Sequence, residues 1–270
     1  MPTTGSSWSL TRNSLAEAEI LRAGPGPLVA ATQRSEAARW CVVVLYAVAM
    51  AWVESAVVLY LRTMIGRIDP YQPNPLPEFG GLSRPEMVRE AATLLMLAAV
   101  GWLAGRSWRT RIAYTMVAFG VWDIFYYVFL RVLTGWPRSM GDWDILFLVP
   151  LPWWGPVLAP ICIASLMLLW GTLASQGEAL QSRAGNSWRV LAACAGGAAL
   201  ALYVFMADAI RAVGEGIGSL RELLPTAFNW PLFLVALLLM SAPVFDLGRR
   251  MAGRRGSRAA LNAGLGDGHG

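Results

Sequence analysis

Histidine is nearly missing from this chain. Among its 270 residues there is a single histidine, His269. Histidine-ligated haem and histidine-based zinc sites need imidazole ligands that the rest of the sequence does not supply. Catalysis by a serine-histidine pair is excluded for the same reason. We therefore expect neither haem nor zinc, and no cofactor is evident; chemistry has to come from carboxylates, arginines or tyrosines, or from a cofactor carried by a partner.

Lysine is absent and cysteine is scarce. All 22 basic residues are arginine, and they give a net charge of +5. No basic patch has the spacing typical of nucleic-acid binding, so we expect no nucleic-acid partner. The three cysteines, Cys41, Cys162 and Cys194, lie far apart in apolar runs. That spacing excludes both a disulfide framework and a CxxC metal site.

Charge of either sign is also rare. Only 14% of the residues are charged and 56% are hydrophobic, with a mean hydropathy of +0.48. Six apolar runs approach or exceed the roughly 20 residues that a membrane-spanning helix needs. They are Trp40–Leu61, Met87–Leu103, Ile112–Leu133, Ile145–Leu173, Val190–Ile210 and Phe228–Leu247. The composition predicts an all-α integral membrane protein, a bundle of about six transmembrane helices.

The fourth of these runs, Ile145–Leu173, contains Pro150, Pro152, Pro156 and Pro160. Proline removes a backbone donor and clashes with the preceding turn, so this density predicts a broken span. Irregular backbone at membrane depth is tolerated only where protein or a cavity covers it. The fourth span is therefore a predicted site of re-entrant or broken structure.

The distribution of arginine predicts the orientation in the membrane. We divide the chain into a flexible extension (1–39), a transmembrane helical domain (40–247) and a basic, then glycine-rich tail (248–270). Six spans place both termini on one side. Most of the arginines lie in the termini and in the loops of that side, including Gly105–Arg111. Because cytoplasmic segments carry the excess of arginine, both termini are predicted to be cytoplasmic.

Spans one and three share a spacing of polar residues. Glu54 is followed by Arg62 and Gly66, and Asp123 is followed by Arg131 and Gly135 at the same intervals. On a helix, eight residues separate two side chains by about 80° in azimuth and about 12 Å along the axis. The pattern suggests a parallel repeat of spans one and three, and chance in a biased composition is the alternative.

Ionisable residues inside these spans indicate a candidate site. A charge in hydrocarbon is costly, so such residues are expected to face the bundle interior, paired or protonated. We predict a polar cavity in the outer half of the bundle, and structural ion pairs between helices are the alternative. The candidate catalytic residues are Glu54, Glu90 and Asp123, and the candidate ligand-binding residues are Arg62, Arg89, Arg131, Tyr126 and Tyr127.

The triplet Asp142-Trp143-Asp144 is a candidate metal site. Alternate carboxylates can hold Mg²⁺ with the help of substrate phosphates. The structural alternative is that Asp142 or Asp144 caps the N-terminus of the fourth span.

Three strings carry a resemblance. They are REAAT (89–93), FGVWDIFYY (119–127) and the run from Trp136 to Pro160. Together they resemble a group of bacterial polytopic membrane proteins. The resemblance implies a multi-pass protein of the bacterial inner membrane and assigns no activity and no catalytic residue.

Three classes of function are compatible with these features. In the first, the polar cavity binds or converts a lipid, isoprenoid or quinone-like ligand, so that the partners are membrane lipid and a hydrophobic small molecule. In the second, the chain is a cofactor-free structural subunit with membrane-protein partners. In the third, it is a small transporter that uses Glu54 and Asp123 as proton-coupled groups.

Overall fold

A computed structural model describes residues 27–72, 83–148, 151–176, 188–215 and 227–252. Within them lie the helices α1 (Pro27–Met64), α2 (Ser83–Ala104), α3 (Trp108–Thr134), α4 (Leu158–Gln176), α5 (Trp188–Glu215) and α6 (Trp230–Met240). A further helical segment, α7, covers 242–252. The strands β1 (Trp143–Ile145) and β2 (Trp154–Pro156) form a hairpin between α3 and α4. Most of the predicted extension and tail, 1–26 and 253–270, lies outside the described residues.

The described part of the chain has six helices long and apolar enough to cross a membrane, which confirms the predicted fold class. These spans are Glu36–Met64, Arg84–Ala104, Trp108–Thr134, Leu158–Gln176, Trp188–Gly214 and Trp230–Ala252. Large apolar side chains cover their outer faces; Leu103, for example, is 83% exposed. Such a surface is stable in lipid and not in water, so the protein is a multi-pass membrane protein.

The chain divides into two compact units, Met1–Arg39 and Trp40–Gly270. In the first unit the described residues are helical from Pro27, where the sequence predicted a flexible extension up to residue 39. Glu36 and Arg39 form an ion pair of 3.2 Å there, one helical turn apart. The second unit contains α1 from Trp40 onward, the hairpin and α2 to α7.

The core of the second unit is built from small residues that let helices approach closely. A Cβ added to Gly120 of α3 would lie 2.5 Å from the backbone oxygen of Ala164 in α4. One added to Gly171 of α4 would lie 2.5 Å from the oxygen of Ala113 in α3. Lipid gives helices no hydrophobic reason to associate, so close backbone packing of this kind holds α3 against α4.

The fourth apolar run is broken, as its prolines predicted, but the span begins at Leu158 and not at Ile145. Its first part, together with the preceding Trp143 and Asp144, forms the hairpin, in which Asp144 pairs with Gly155 in antiparallel register. A Cβ on Gly155 would lie 2.7 Å from the Phe205 ring, so the glycine lets the hairpin pack against α5. The hairpin thus closes one end of the bundle, where α1 and α3 end and α4 begins.

Candidate functional site

A cavity of about 310 Å³ lies at this end of the bundle, lined by residues of α1 to α5 and of the hairpin segment. Its polar lining residues are Glu54, Arg62, Arg67, Glu86, Arg89, Glu90, Thr93, Asp123, Tyr126 and Tyr127. Its apolar lining includes Phe119, Trp122, Phe147, Leu148, Trp153, Ile163, Met167 and Phe205. The cavity therefore offers one set of charged and hydroxyl groups and one set of aromatic and aliphatic groups.

A cluster of charges connects α1 to α2 at the cavity wall. Arg89 of α2 forms an ion pair with Glu54 of α1 and a second one with Glu86. The hydroxyl of Thr93 donates to the other oxygen of Glu54, at 3.2 Å. Glu54 is only 8% exposed. Burial removes the hydration of a carboxylate. The ion pair with Arg89 and the hydrogen bond from Thr93 replace the interactions with water that Glu54 loses.

A second ion pair connects α1 to the hairpin. Arg62 Nη2 lies 2.8 Å from Asp144 Oδ1, and Arg62 Nη1 donates to the backbone oxygen of Ile68 at 3.3 Å. The guanidinium also lies 4.3 Å from the centre of the Trp136 ring. These three contacts hold the Arg62 side chain in one place at the edge of the cavity.

Asp144 is completely buried. Burial raises the pKa of its carboxyl, while the Arg62 guanidinium and the Tyr127 hydroxyl oppose that rise. Asp142, two residues earlier, accepts instead from the Ser139 hydroxyl and the backbone N–H of Arg138, both at 2.7 Å. The two carboxylates of the predicted metal site thus serve different partners.

The structural alternative for this triplet is wrong, because helix α4 begins at Leu158 and neither aspartate caps it. Asp142 closes the turn before β1 instead. Among the described residues no group of three or more histidine, cysteine or acidic side chains is placed to hold a metal ion. Within the described residues, the predicted Mg²⁺ site therefore consists of two carboxylates, Asp142 and Asp144, that each bond to other partners.

Asp123 of α3 differs from the other acids of the cavity. It is 8% exposed and lines the cavity, yet no described residue forms a hydrogen bond or ion pair with it. Glu90 of α2 accepts one hydrogen bond, at 3.2 Å from the backbone N–H of Leu148 to its Oε2. These two carboxyl groups are consequently the least satisfied acceptors on the cavity wall.

The structure brings together seven of the eight residues predicted for catalysis or ligand binding. Glu54, Glu90, Asp123, Arg62, Arg89, Tyr126 and Tyr127 all line the cavity. Arg131 does not: it is exposed and donates to the backbone oxygens of Gly135 and Pro137. Because its guanidinium completes the C-terminal cap of α3, it lies outside the site.

Sequence reasoning missed Glu86, Thr93 and Arg67. The first two continue a polar stripe on α2, since Glu86, Glu90 and Thr93 recur at intervals of three and four residues. That interval in an otherwise apolar helix is a signal that could have identified them. Arg67 gave no such signal, because it follows the end of α1 and is buried by the loop into which it folds.

Comparison with protein-family models, curated proteins and solved structures finds no match to this chain. The comparisons therefore support no particular activity.

Proposed function

We propose that this multi-pass membrane protein binds, or binds and converts, a lipid, isoprenoid or quinone-like ligand in the cavity. The observation that carries the proposal is that one cavity is lined both by charged or hydroxyl-bearing side chains and by aromatic or aliphatic ones. An amphiphile needs both, and ligand sites are in general apolar cavities with a few convergent polar groups. The volume of about 310 Å³ is within the usual range for such sites.

The aromatic wall supports an apolar chain as the second part of the ligand. Trp153 stacks on Phe205 with ring centres 6.5 Å apart, and Phe147 lies edge-on to Trp153 at 5.1 Å. Rings held in this way present a rigid apolar surface at little entropic cost. Carboxyl groups such as Asp123, which line the same cavity, are the groups able to act as general acid or base if the ligand is converted.

A structural subunit is the second candidate, and the two ion-pair clusters favour it. Arg89 with Glu54, and Arg62 with Asp144, join elements that are far apart in the chain. Charges used only to fix helices would need no ligand. A proton-coupled transporter has less support. On the N-terminal side of Asp123, α3 buries Tyr114, Val117 and Ala118 in a packed apolar core, which does not favour a proton path there.

We also propose a location in a bacterial inner membrane with both termini in the cytoplasm. The loop between α2 and α3, which holds Arg106, and the start of α3, which holds Arg109 and Arg111, would then be cytoplasmic, and the cavity would open toward the other side. Reporter fusions after Arg106 and after Ser139 test this. The fusion at Ser139 should be active only as an extracytoplasmic reporter; the reverse pattern would invert the orientation.

The function is tested by mild purification of the full chain, followed by mass spectrometry of what stays bound. We expect an amphiphile enriched over bulk lipid. Met167→Trp, which fills the cavity, should remove it, whereas Leu169→Trp, on the exposed side of the same helix, should not. If the wild-type chain retains no lipid beyond bulk lipid but co-purifies with another membrane protein in stoichiometric amount, the subunit function is the correct one.

A further inference from the structure

The arginines around the cavity are already used by the protein. Arg89 is shared between Glu54 and Glu86, and Arg62 is bound to Asp144. Arg67 donates to the backbone oxygen of Gln72 at 3.1 Å. A guanidinium that recognises an anionic head group does so with donors that point at the ligand. Here those donors point at carboxylates and carbonyls of the chain itself.

Two carboxyl groups of the cavity wall, by contrast, have few or no hydrogen-bond donors among the described residues. No described residue bonds to Asp123, and Glu90 accepts a single backbone N–H through one oxygen. Both side chains line the cavity, and Asp123 is more than nine-tenths buried. A carboxyl group accepts hydrogen bonds whether or not it is ionised, so these groups present acceptors to whatever occupies the cavity.

Resting on the function proposed above, we infer that the ligand head group is a hydrogen-bond donor, a hydroxyl or a primary amine, and not a phosphate. Leaving the buried Asp123 carboxyl without a donor is costly, and a head group that donates to it and to the second oxygen of Glu90 removes that cost. A phosphate brings mainly acceptors and negative charge to a wall that carries Glu54, Glu86 and Glu90, and the arginines of that wall already bond to the chain. Like charges in such a site disfavour binding.

The test compares head groups on one apolar chain. The full chain in detergent micelles is titrated with farnesol, farnesylamine and farnesyl phosphate, and binding is measured by native mass spectrometry. We expect the alcohol or the amine to bind at least about tenfold more tightly than the phosphate, the value of one good hydrogen bond to a charged group. A stronger response to the amine identifies an ionised acceptor, and a stronger response to the alcohol a neutral one.

Variants assign the acceptor. Asp123→Leu, which removes it, should reduce binding of the preferred compound at least about tenfold, and Asp123→Asn should reduce amine binding more than alcohol binding. Asp246→Asn, an aspartate paired with Arg250 away from the cavity, is the control and should change nothing.

Phosphate binding as tight as that of the alcohol overturns this inference and leaves the proposed function standing. Absence of binding by all three compounds to the wild-type chain overturns both. Since the head-group series uses the wild-type chain, the inference is decided even if Asp123→Leu fails to fold.

Discussion

Arg62 and Asp144, 82 positions apart in the sequence, form a buried ion pair in which Nη2 and Oδ1 lie 2.8 Å apart. The pair joins the end of α1 to the hairpin that closes the cavity. Its two members have very different surroundings: Arg62 borders the cavity, whereas the Asp144 side chain is enclosed completely.

Breaking this pair should destabilise the protein strongly. Arg62→Met leaves the buried Asp144 carboxyl without its cation, a change that costs about 3–5 kcal/mol. The double variant Arg62→Met/Asp144→Leu should recover most of that loss, because no charge stays buried. Unfolding in detergent measures both. Arg211→Met is the control, since Arg211 is 73% exposed and its pair with Asp208 should be worth within about 1 kcal/mol. Equal losses in both single variants would contradict the assigned role.

Asp123 and Glu54 should respond differently to amide substitution. Asp123→Asn removes no hydrogen bond or ion pair formed by the described residues, so the melting temperature should stay near that of the wild type while less of the bound amphiphile is retained. Glu54→Gln weakens the contacts with Arg89 and Thr93, so it should lower stability by about 1–3 kcal/mol as well as ligand binding. Thermal unfolding and mass spectrometry of the same preparations distinguish the two effects. A large drop in the melting temperature of Asp123→Asn would assign that residue a structural role.

Two neighbouring glycines of α5 provide a matched test of helix packing. A Cβ on Gly197 would lie 2.7 Å from the backbone oxygen of Ala236 in α6, whereas one on Gly196 would meet nothing within 4 Å. Gly197→Ala should therefore cost about 1–3 kcal/mol through overpacking. Gly196→Ala should be neutral or stabilise the helix by up to about 1 kcal/mol. If Gly197→Ala and Gly196→Ala change the stability by the same amount, α5 and α6 do not pack closely at this level.

Stability should depend on pH through Asp142. Partial burial opposes ionisation of its carboxyl, but hydrogen bonds from Ser139 and from the N–H of Arg138 outweigh it and lower the pKa. Because the folded pKa lies below the ordinary value of about 3.9, the stabilisation is fully present above that pH. It is lost as the pH falls through the folded pKa.

Ser139→Ala removes one of these bonds, so it should destabilise at neutral pH and have a smaller effect under acid conditions. Unfolding measured across this range detects the change. Ser165→Ala serves as the control, since the Ser165 hydroxyl donates to the backbone oxygen of Ile161, a group that does not titrate, and its effect should not vary with pH. A constant effect of Ser139→Ala would exclude Asp142 as the titrating group.

The helix boundaries show how far local sequence signals reach. The predicted span Ile112–Leu133 lies inside α3, Trp108–Thr134. Ser107 and Thr110 form a capping box at its start, and Gly135, with φ of 75°, ends it. Each of these signals acts over one helical turn, so it can be read from neighbouring residues without knowing what packs against the helix.

The apparent repeat of spans one and three has a part that local structure explains and a part that depends on tertiary contacts. Its glycines, Gly66 and Gly135, both adopt positive φ, as the ends of two helices require. Its arginines do not correspond, because Arg62 forms an ion pair with Asp144 whereas Arg131 donates to the nearby backbone oxygens of Gly135 and Pro137. A shared local requirement therefore accounts for the glycines, and the different roles of the arginines depend on the hairpin.

The sequence by itself determined the membrane-spanning helices and the interior position of Glu54 and Asp123, because length, hydropathy and the cost of charge in lipid are properties of the chain and its solvent. Only the tertiary structure decided which charges meet. The prolines predicted a break in the fourth run. That this part of the chain forms a hairpin, with Asp144 buried in an ion pair with Arg62, depends on contacts between distant segments. For the same reason Arg131 lies outside the cavity, and Asp123 lies in it with no bonding partner among the residues that the structure describes.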